Sequence, residues 1–348
     1  MSGGIAQLVA VGAQDVHLVG QPEVSFFRST YKRHTNFSQT VERQVIQGNV
    51  SNNGMSTVRF ERKGDLLGYV YLVANNGTAT QAFSAAQWRT MISKVELLVG
   101  GQVVDEQDSI FSTLIAPSLL ATSSPKSPSA DLFGGASASR FYPLRFSFCE
   151  NWQSALPLIS LQYHDVELRI TWSSSAATYK WDVYANYAYL DTQEREVFAA
   201  QPQNMIMTQV QKAIASGNKI QELNFNHPVK YLASADASDL AILNDDNKLK
   251  LQINGTDVAD FKFADPNFTT VPLYYHTPSA DSSRAKKLFT YPFCLETAKL
   301  QPTGSLNFSR LDSARIINSA RDCDKDIYAV NYNVLRIENG MGGLLYSN

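Results

Sequence analysis

Histidine and cysteine are the side chains most often used for metal binding and nucleophilic catalysis, and in this chain they are few and scattered. The five histidines form no HxH or HExxH pair, and the three cysteines form no CxxC motif. Zinc sites and cupin-type metal sites are built from such local clusters. We therefore predict no metal site and no cofactor.

His164 and Asp165 are neighbours in the sequence and could form part of a catalytic arrangement. Because successive residues of a strand point to opposite faces of a sheet, we expect the two side chains to point apart and to have structural roles. The glycine-rich residues 100–101 and 340–343 lack the Lys-Ser/Thr pair of a phosphate-binding loop. They are predicted to be turns or, for the second run, a C-terminal tail.

Acidic residues form no recognisable site either. Asp245 and Asp246 lack the alternating oxygen ligands, the turn glycine and the closing glutamate of an EF-hand, so we expect an exposed turn. Asp105 and Glu106 are expected to be ordinary exposed polar residues, and no GxSxG nucleophile motif occurs. The residues thus predict no catalytic centre, and we expect a protein that is not an enzyme.

Whole-chain properties narrow the class of protein. A chain of 348 residues exceeds the ~150 residues of a typical domain, so two domains are expected. A formal net charge of −2 argues against nucleic acid as the main partner. The N-terminal segment lacks the basic region of a signal peptide and no run reaches ~20 apolar residues, so any membrane contact is expected to be peripheral. Free thiols in a reducing compartment are predicted for the widely spaced Cys149, Cys294 and Cys323.

Five N-x-S/T sequons occur in the sequence. Asn76 and Asn254 are each followed by Gly-Thr in a predicted turn, which makes them the more accessible candidates for glycosylation. Because no secretory signal is predicted, chance occurrence of the motif is the alternative.

Short runs of alternating, β-branched or aromatic residues dominate the sequence and predict a mostly β protein. Apolar side chains recur at every second position of residues 181–189, as a sheet with one buried face requires. The glycines at 100–101 predict a tight hairpin, and Asp191 or Thr192 is expected to cap a short helix. Residues 117–140, rich in Ser, Ala, Gly and Pro, are predicted to be a long exposed loop. Strands are predicted at residues 56–61, 68–73, 95–99, 103–106, 142–148, 166–172 and 179–189, then from 205 and at 219–225, 229–234, 248–253, 288–293, 305–308, 314–317 and 327–337.

About eight short antiparallel strands in each half fit a sandwich or jelly roll better than an alternation of strands and helices. We therefore predict an all-β fold of two tandem eight-stranded antiparallel jelly rolls, a double jelly roll with short helices in its loops. The predicted divisions are an N-terminal arm at residues 1–25, a first jelly roll at 26–195, a linker at 196–204 and a second jelly roll at 205–348.

Several blocks of sequence, in order along the chain, carry a resemblance to a known family. LVAVGAQD at residues 8–15 is followed by PEVSFFR at 22–28 and YKRHTNF at 31–37. YPLRFSFC at 142–149 and ALPLISLQYH at 155–164 come next, and GSLNFSR at 304–310, YAVNYNVLR at 328–336 and GMGG at 340–343 end the series. Together they resemble the major capsid proteins of nucleocytoplasmic large DNA viruses, in particular those of phycodnaviruses (algal viruses) and iridoviruses.

The resemblance implies a double jelly-roll tile of an icosahedral double-stranded DNA virus, made late in infection and assembled in the host cytoplasm. Three copies would form a pseudo-hexagonal homotrimeric capsomer that contacts other capsomers and minor capsid proteins. An internal viral membrane would lie nearby without being spanned, and no sequence-specific contact with nucleic acid is implied. Contacts with the shell interior or with minor proteins are predicted for arm residues Phe26, Phe27, Arg28, Tyr31, Lys32, Arg33 and Phe37; a simple lead-in to the first strand is the alternative.

Two other functions share this architecture. A minor capsid or penton-associated jelly-roll protein would have the same fold but a lower copy number in purified particles. A carbohydrate-binding module or glycoside hydrolase could also be a β-sandwich, with Trp88, Trp152, Trp172 and Trp181 stacking on sugars. The strand patterns around Trp172 and Trp181 favour core packing for these two.

Overall fold

The computed structural model describes residues 3–120, 138–236, 240–278 and 288–347. The chain divides into two compact units, Met1–Asn36 and Phe37–Asn348. The first unit contains helices α1 (Gly3–Val9) and α2 (Val16–Val19), and none of its described residues is buried. In the described ranges, no helix is both long enough and apolar enough to cross a bilayer.

The second unit consists mainly of antiparallel strands, as predicted, and the sequence alternation explains where most of them form. The strands are β1 (Phe37–Gln44), β2 (Ile46–Gln47), β3 (Met55–Arg59), β4 (Leu66–Asn75), β5 (Phe83–Ser84), β6 (Ile92–Val99), β7 (Gln102–Asp108), β8 (Ala138–Ser139), β9 (Tyr142–Pro143), β10 (Leu156–Pro157), β11 (Val166–Trp172), β12 (Lys180–Leu190), β13 (Gln203–Ala213), β14 (Ile220–Glu222), β15 (Pro228–Ala235), β16 (Lys248–Ile253), β17 (Thr256–Asp257), β18 (Lys262–Phe263), β19 (Leu288–Pro292), β20 (Leu306–Asn307), β21 (Ala314–Asn318), β22 (Ile327–Glu338) and β23 (Met341–Leu344). The helices are α3 (Ala85–Met91), α4 (Ala116–Leu119), α5 (Ser147–Glu150), α6 (Thr192–Ala200), α7 (Ala264–Asn267) and α8 (Thr270–His276).

The first half of this unit, residues 37–190, contains two main sheets around one core and a short two-stranded sheet, β5–β8. One sheet has the order β1–β12–β4–β10, with β9 also paired to β4, and the other has the order β2–β3–β11–β6–β7. Buried and half-buried residues alternate along β11, so that Val166, Leu168 and Ile170 enter the core. The predicted β6–β7 hairpin is confirmed, since Gly100 and Gly101 have φ of 59° and 81°, values that glycine adopts without strain.

The second half, residues 203–344, repeats this arrangement around a second core. Its sheets have the orders β13–β22–β15–β19, with β20 on β15 and β23 on β22, and β14–β21–β16–β17, with β18 on β16. Leu232, Phe289 and Ile316 pack in the core that these sheets share. Between the halves lies α6, whose predicted cap is confirmed because the Asp191 side chain accepts a hydrogen bond from the Thr192 N–H.

Residues 117–120 contradict the predicted exposed loop at 117–140. A π-helical turn, Phe111–Ile115, continues into α4, and Pro117 and Leu119 are buried. Proline at an early helix position leaves no intrahelical donor unpaired, so the sequence Ala-Pro-Ser-Leu is compatible with a helix start. Residues 121–137 of the predicted loop lie outside the described residues.

One further prediction of local structure is wrong, and another is confirmed in part. Residues 142–148 form only the short strand β9 before α5, because Pro143 lacks an N–H; their alternating pattern reflects the burial of Leu144, Phe146 and Phe148. For residues 340–343 the predicted turn is confirmed at Gly340, and the alternative of a C-terminal tail is wrong. Asn339 and Gly340, with φ values of 52° and 77°, form a tight turn, and the following strand β23 pairs with β22.

Candidate functional site

The arm residues predicted to make contacts are exposed. Phe26, Phe27 and Tyr31 are 93%, 101% and 89% exposed, and the three basic residues between and after them are exposed as well. Phe37 differs from the others because it is the first residue of β1 and pairs with Leu190 in the second unit. A soluble chain normally leaves few large apolar side chains uncovered, so this segment is a candidate contact surface.

His164 and Asp165 point apart, as predicted. Nδ1 of His164 lies 2.8 Å from the carbonyl oxygen of Gly342, which fixes β23 against the first half. The Asp165 carboxylate instead contacts Arg59 at 2.6 Å and Arg62 at 3.5 Å. These are structural contacts between segments distant in sequence, with no nucleophile in the pairings.

The two candidate glycosylation residues lie in exposed turns. Oδ1 of Asn76 accepts hydrogen bonds from the Thr78 and Ala79 N–H groups at 3.1 and 2.9 Å. Oδ1 of Asn254 accepts from the N–H groups of Asp312 and Ser313. In both cases the side-chain oxygen accepts the hydrogen bonds and the residue as a whole is exposed, so glycosylation at these two positions stays a prediction.

The described residues offer little for metal or thiol chemistry. They contain no group of three or more His, Cys, Asp or Glu side chains placed to hold a metal ion. All three cysteines are free thiols, as predicted. Burial raises the pKa of each, to about 11 for Cys323, so the nucleophilic thiolate is disfavoured at neutral pH.

The tryptophans proposed for sugar stacking are mostly internal. Trp172 and Trp181 are buried, as predicted, with ring centroids 4.7 Å apart. Trp88 is also buried, against Phe83 and Tyr142, so it cannot stack on a ligand at the surface. Trp152, in contrast to these three, is 86% exposed. A tryptophan platform of the kind used by carbohydrate-binding modules is therefore not formed by these residues.

An apolar joint connects the two halves of the second unit. The segment after β7, through the Phe111–Ile115 turn and α4, packs on β15, β19 and β22 of the second half. Phe111 meets the Tyr328 ring at a centroid distance of 6.0 Å, and Leu119 is fully buried in the same cluster. First-half residues therefore complete a core on the face of a second-half sheet.

Polar contacts surround this apolar joint. Edge strands β7 and β13 approach each other, where the Gln209 amide donates to the Val104 carbonyl and the Val210 N–H donates to Oδ1 of Asp105 at 2.9 Å. Asp108 accepts from the Tyr328 hydroxyl and from Lys212, whose ammonium lies 3.2 Å away. Covering two open sheet edges in this way removes a site for unwanted strand pairing.

Asp105 is buried, which contradicts its prediction as an exposed surface residue. It is 4% exposed and accepts from Gln107 Nε2 at 2.9 Å as well as from Val210. Burial, which is opposed only in part by these donors, raises the pKa of its carboxyl to about 7. The sequence did not predict this burial, because nothing in the local pattern Val-Val-Asp-Glu-Gln-Asp indicates that β13 of the second half packs against this strand.

Comparison with known proteins identifies the family. The model of the major capsid protein N-terminus matches residues 25–223, and that of the large eukaryotic DNA virus major capsid protein matches residues 243–343. The chain is 33% identical over 399 residues to the major capsid protein of Pyramimonas orientalis virus, with both chains covered in full. It belongs to the major capsid proteins of large eukaryotic DNA viruses.

Solved structures of capsid proteins agree with this assignment. VP54 of PBCV-1 matches with a TM-score of 0.77 and 26% identity over 93% of this chain and all of VP54. In sequence, the major capsid protein of Paramecium bursaria Chlorella virus 1 is 30% identical over 447 residues, again with both chains covered in full. The Faustovirus major capsid protein shares the fold with a TM-score of 0.64 at 12% identity.

The predicted double jelly roll, the structural role and the location in the virion capsid shell are therefore confirmed. The full-length relatives are major capsid proteins and not enzymes. This finding favours the role of major capsid protein over the two alternatives, a minor capsid protein and a sugar-binding module. In a capsid protein, the surfaces that hold the shell together are the functional sites. The arm is one such candidate that the sequence predicts, and the joint is a feature that it does not.

Proposed function

We propose that three copies of this capsid protein form a homotrimeric, pseudo-hexagonal capsomer and that the N-terminal arm connects it to neighbouring proteins of the shell. The arm carries this proposal, because its large apolar side chains are uncovered in the single chain. Burying one such side chain contributes about 1.5–3 kcal/mol, so a partner that covers Phe26, Phe27 and Tyr31 gains substantially from contact.

The charge of the arm indicates which surface it meets. Arg28, Lys32 and Arg33 alternate with the aromatic side chains, so an acidic surface with apolar depressions would complement the segment. Minor capsid proteins on the shell interior, or a second copy of this chain, are the proposed partners. The internal membrane lies nearby in this proposal without being spanned.

Open sheet edges support association of copies. β1 forms one edge of its sheet, and its Phe37 and Val41 side chains are exposed. Edge strands offer unpaired N–H and C=O groups, which natural proteins cover by folding or by association.

In the proposed division, residues 26–195 and 205–348 are the two jelly rolls, 196–204 is the linker and 1–25 is the arm. The two pairs of sheets on either side of α6 support this division.

Mass measurement of the native protein tests the trimer. Three chains of 38.6 kDa give a capsomer of about 116 kDa. A species of that mass at micromolar concentration is expected, whereas a stable monomer would contradict the proposal.

Deletion of residues 1–25 and replacement of the aromatic anchors test the arm. We expect the deletion, and separately the combined Phe26→Ser, Phe27→Ser and Tyr31→Ser variant, to fold normally but to lose shell assembly. The matched control, Trp152→Ser, removes an 86% exposed aromatic side chain outside the arm and should assemble as the parent does. If the anchor variant assembles as the parent does, the arm has no role in assembly.

Glycosylation of Asn76 and Asn254, which lie in exposed turns, remains a proposal. Peptide mass mapping of protein purified from virions tests it, with Asn76→Gln and Asn254→Gln as controls. Unmodified peptides at both positions would leave the two sequons as chance motifs.

A further inference from the structure

A cavity of about 260 Å³ lies at the margin of the second half, between strand β16 of one sheet and edge strand β19 of the other. The segment 259–276, which contains β18, α7 and α8, forms its outer wall. The volume is just below the ~300–1,000 Å³ of pockets that hold drug-sized ligands, so a smaller molecule fits it.

The cavity wall has charges of both signs that nearly balance. The Lys250 ammonium pairs with Asp257 at 2.6 Å and lies 4.6 Å from the centroid of the Phe261 ring. Lys262 and Asp260 contribute one further charge of each sign to the wall. Nδ1 of His276 lies 3.1 Å from the carbonyl oxygen of Leu295, which leaves Nε2 for another partner. Donors and acceptors are therefore present without an excess charge.

Exposed aromatic side chains flank this wall. Tyr274 and Tyr275 are 78% and 72% exposed, and they follow the wall residue Val271 by three and four positions, so they share its side of α8. Phe261 and Phe263 are also exposed, but they lie outside the cavity lining, with their rings over the ammonium groups of Lys250 and Lys248. The segment thus combines apolar ring faces with a small polar depression.

We propose that this cavity binds a neutral monosaccharide unit of a glycan. A sugar ring presents C–H groups on its faces and hydroxyls around its rim. The exposed tyrosine rings of α8 beside the cavity match the faces, and Asp260, Lys262 and His276 match the hydroxyls. The near balance of charge disfavours nucleic acid or another polyanion. Charged residues are depleted in the centre of protein–protein interfaces, so Asp260 and Lys262 argue against a second copy as the occupant.

Saturation-transfer NMR on the full chain tests the site with methyl glycosides of glucose, galactose and mannose and with N-acetylglucosamine. We expect transfer to at least one of these sugars at millimolar concentration. Tyr275→Ala and Asp260→Ala should each weaken binding by about two- to tenfold. Both residues are at the surface, so the variants are expected to fold, and thermal melting checks this. Trp152→Ala, which removes an equally exposed aromatic ring elsewhere, should leave binding unchanged.

Three results would overturn the site: no transfer to any of the four sugars, binding unchanged by Tyr275→Ala and Asp260→Ala, or loss of binding in Trp152→Ala alone. Protection of Tyr274 and Tyr275 from hydroxyl-radical labelling when the capsomer forms would also overturn it, because a second copy would then cover them. The site belongs to the single chain. A monomer that binds sugar would therefore contradict the proposed trimer and leave this inference intact.

Discussion

Asp105→Asn should remove a pH dependence of stability that arises at the joint between the two halves. Asp105 is buried where β7 meets β13, and burial raises the pKa of its carboxyl from 3.8 to about 7. Because the folded protein holds this proton more tightly than the unfolded chain does, protonation of Asp105 stabilises the folded state. This contribution to the free energy of unfolding is complete below pH 3.8 and is lost as the pH rises through 7.

The size of the effect follows from the two pKa values. Each pH unit between them corresponds to about 1.36 kcal/mol, so full ionisation of Asp105 costs the folded state about 4 kcal/mol. Between pH 5 and pH 8 the part that is lost is about 3 kcal/mol. Asparagine stays neutral throughout this range and can still accept the Val210 N–H. Its amide would face Gln107 Nε2, a conflict between donors that costs about 1 kcal/mol at every pH.

Urea unfolding of parent and variant at pH 5 and pH 8 measures this directly. From pH 5 to pH 8 the free energy of unfolding of the parent should fall by about 3 kcal/mol more than that of Asp105→Asn. At pH 8 the variant should be the more stable of the two. Asp322→Asn, which changes an exposed carboxyl on a loop, is the matched control and should keep the parent's pH dependence. Equal pH dependence in parent and Asp105→Asn would show that the joint tolerates the charged carboxylate, and the reasoning would be refuted.

Two further predictions concern packing and thiol chemistry. Gly342→Ala places a Cβ 2.6 Å from Leu161 Cδ2 and should lower the free energy of unfolding by about 1–3 kcal/mol in urea titrations, whereas Gly343→Ala, whose nearest neighbour is 3.5 Å away, should change little. Raised thiol pKa values should prevent alkylation by iodoacetamide at pH 8 in the folded protein, whereas unfolding in urea should allow three additions, as mass spectrometry would show. Labelling of the native protein would contradict the shielding of these thiols, of which Cys294 and Cys323 are buried and Cys149 is half-buried.

Strands with one clearly buried face could be predicted from the sequence almost to the residue. The predicted ranges 166–172 and 248–253 coincide with β11 and β16, because buried and half-buried residues alternate along both strands. Period-two patterning is the direct consequence of a sheet with one face in a core. Local sequence therefore determines these elements before any partner strand is known.

Other elements depend on partners that are distant in the sequence. β1, Phe-Ser-Gln-Thr-Val-Glu-Arg-Gln, has a mostly exposed pattern and forms because β12 offers it eight paired positions. α3 could have been found, since Ser84 and Gln87 form a capping box that the sequence displays. The cavity wall around Tyr274 and Tyr275 gave no recognised pattern, because its parts come from separate strands and helices that only the fold brings together.

The joint explains why the information for shell assembly must lie on outer surfaces. A helical segment from the first half completes a core on a sheet of the second half, and edge strands β7 and β13 cover each other. Sliding or opening of the halves would expose Phe111 and Leu119 and would break the contacts of Asp105 and Asp108, so residues 37–344 should act as one block. A block of this kind has little internal freedom with which to adapt to different neighbours in a shell. Adaptation must then come from segments outside its cores. The unit Met1–Asn36, which has uncovered aromatic side chains at Phe26, Phe27 and Tyr31 and no buried residue among those described, has the properties that this role requires.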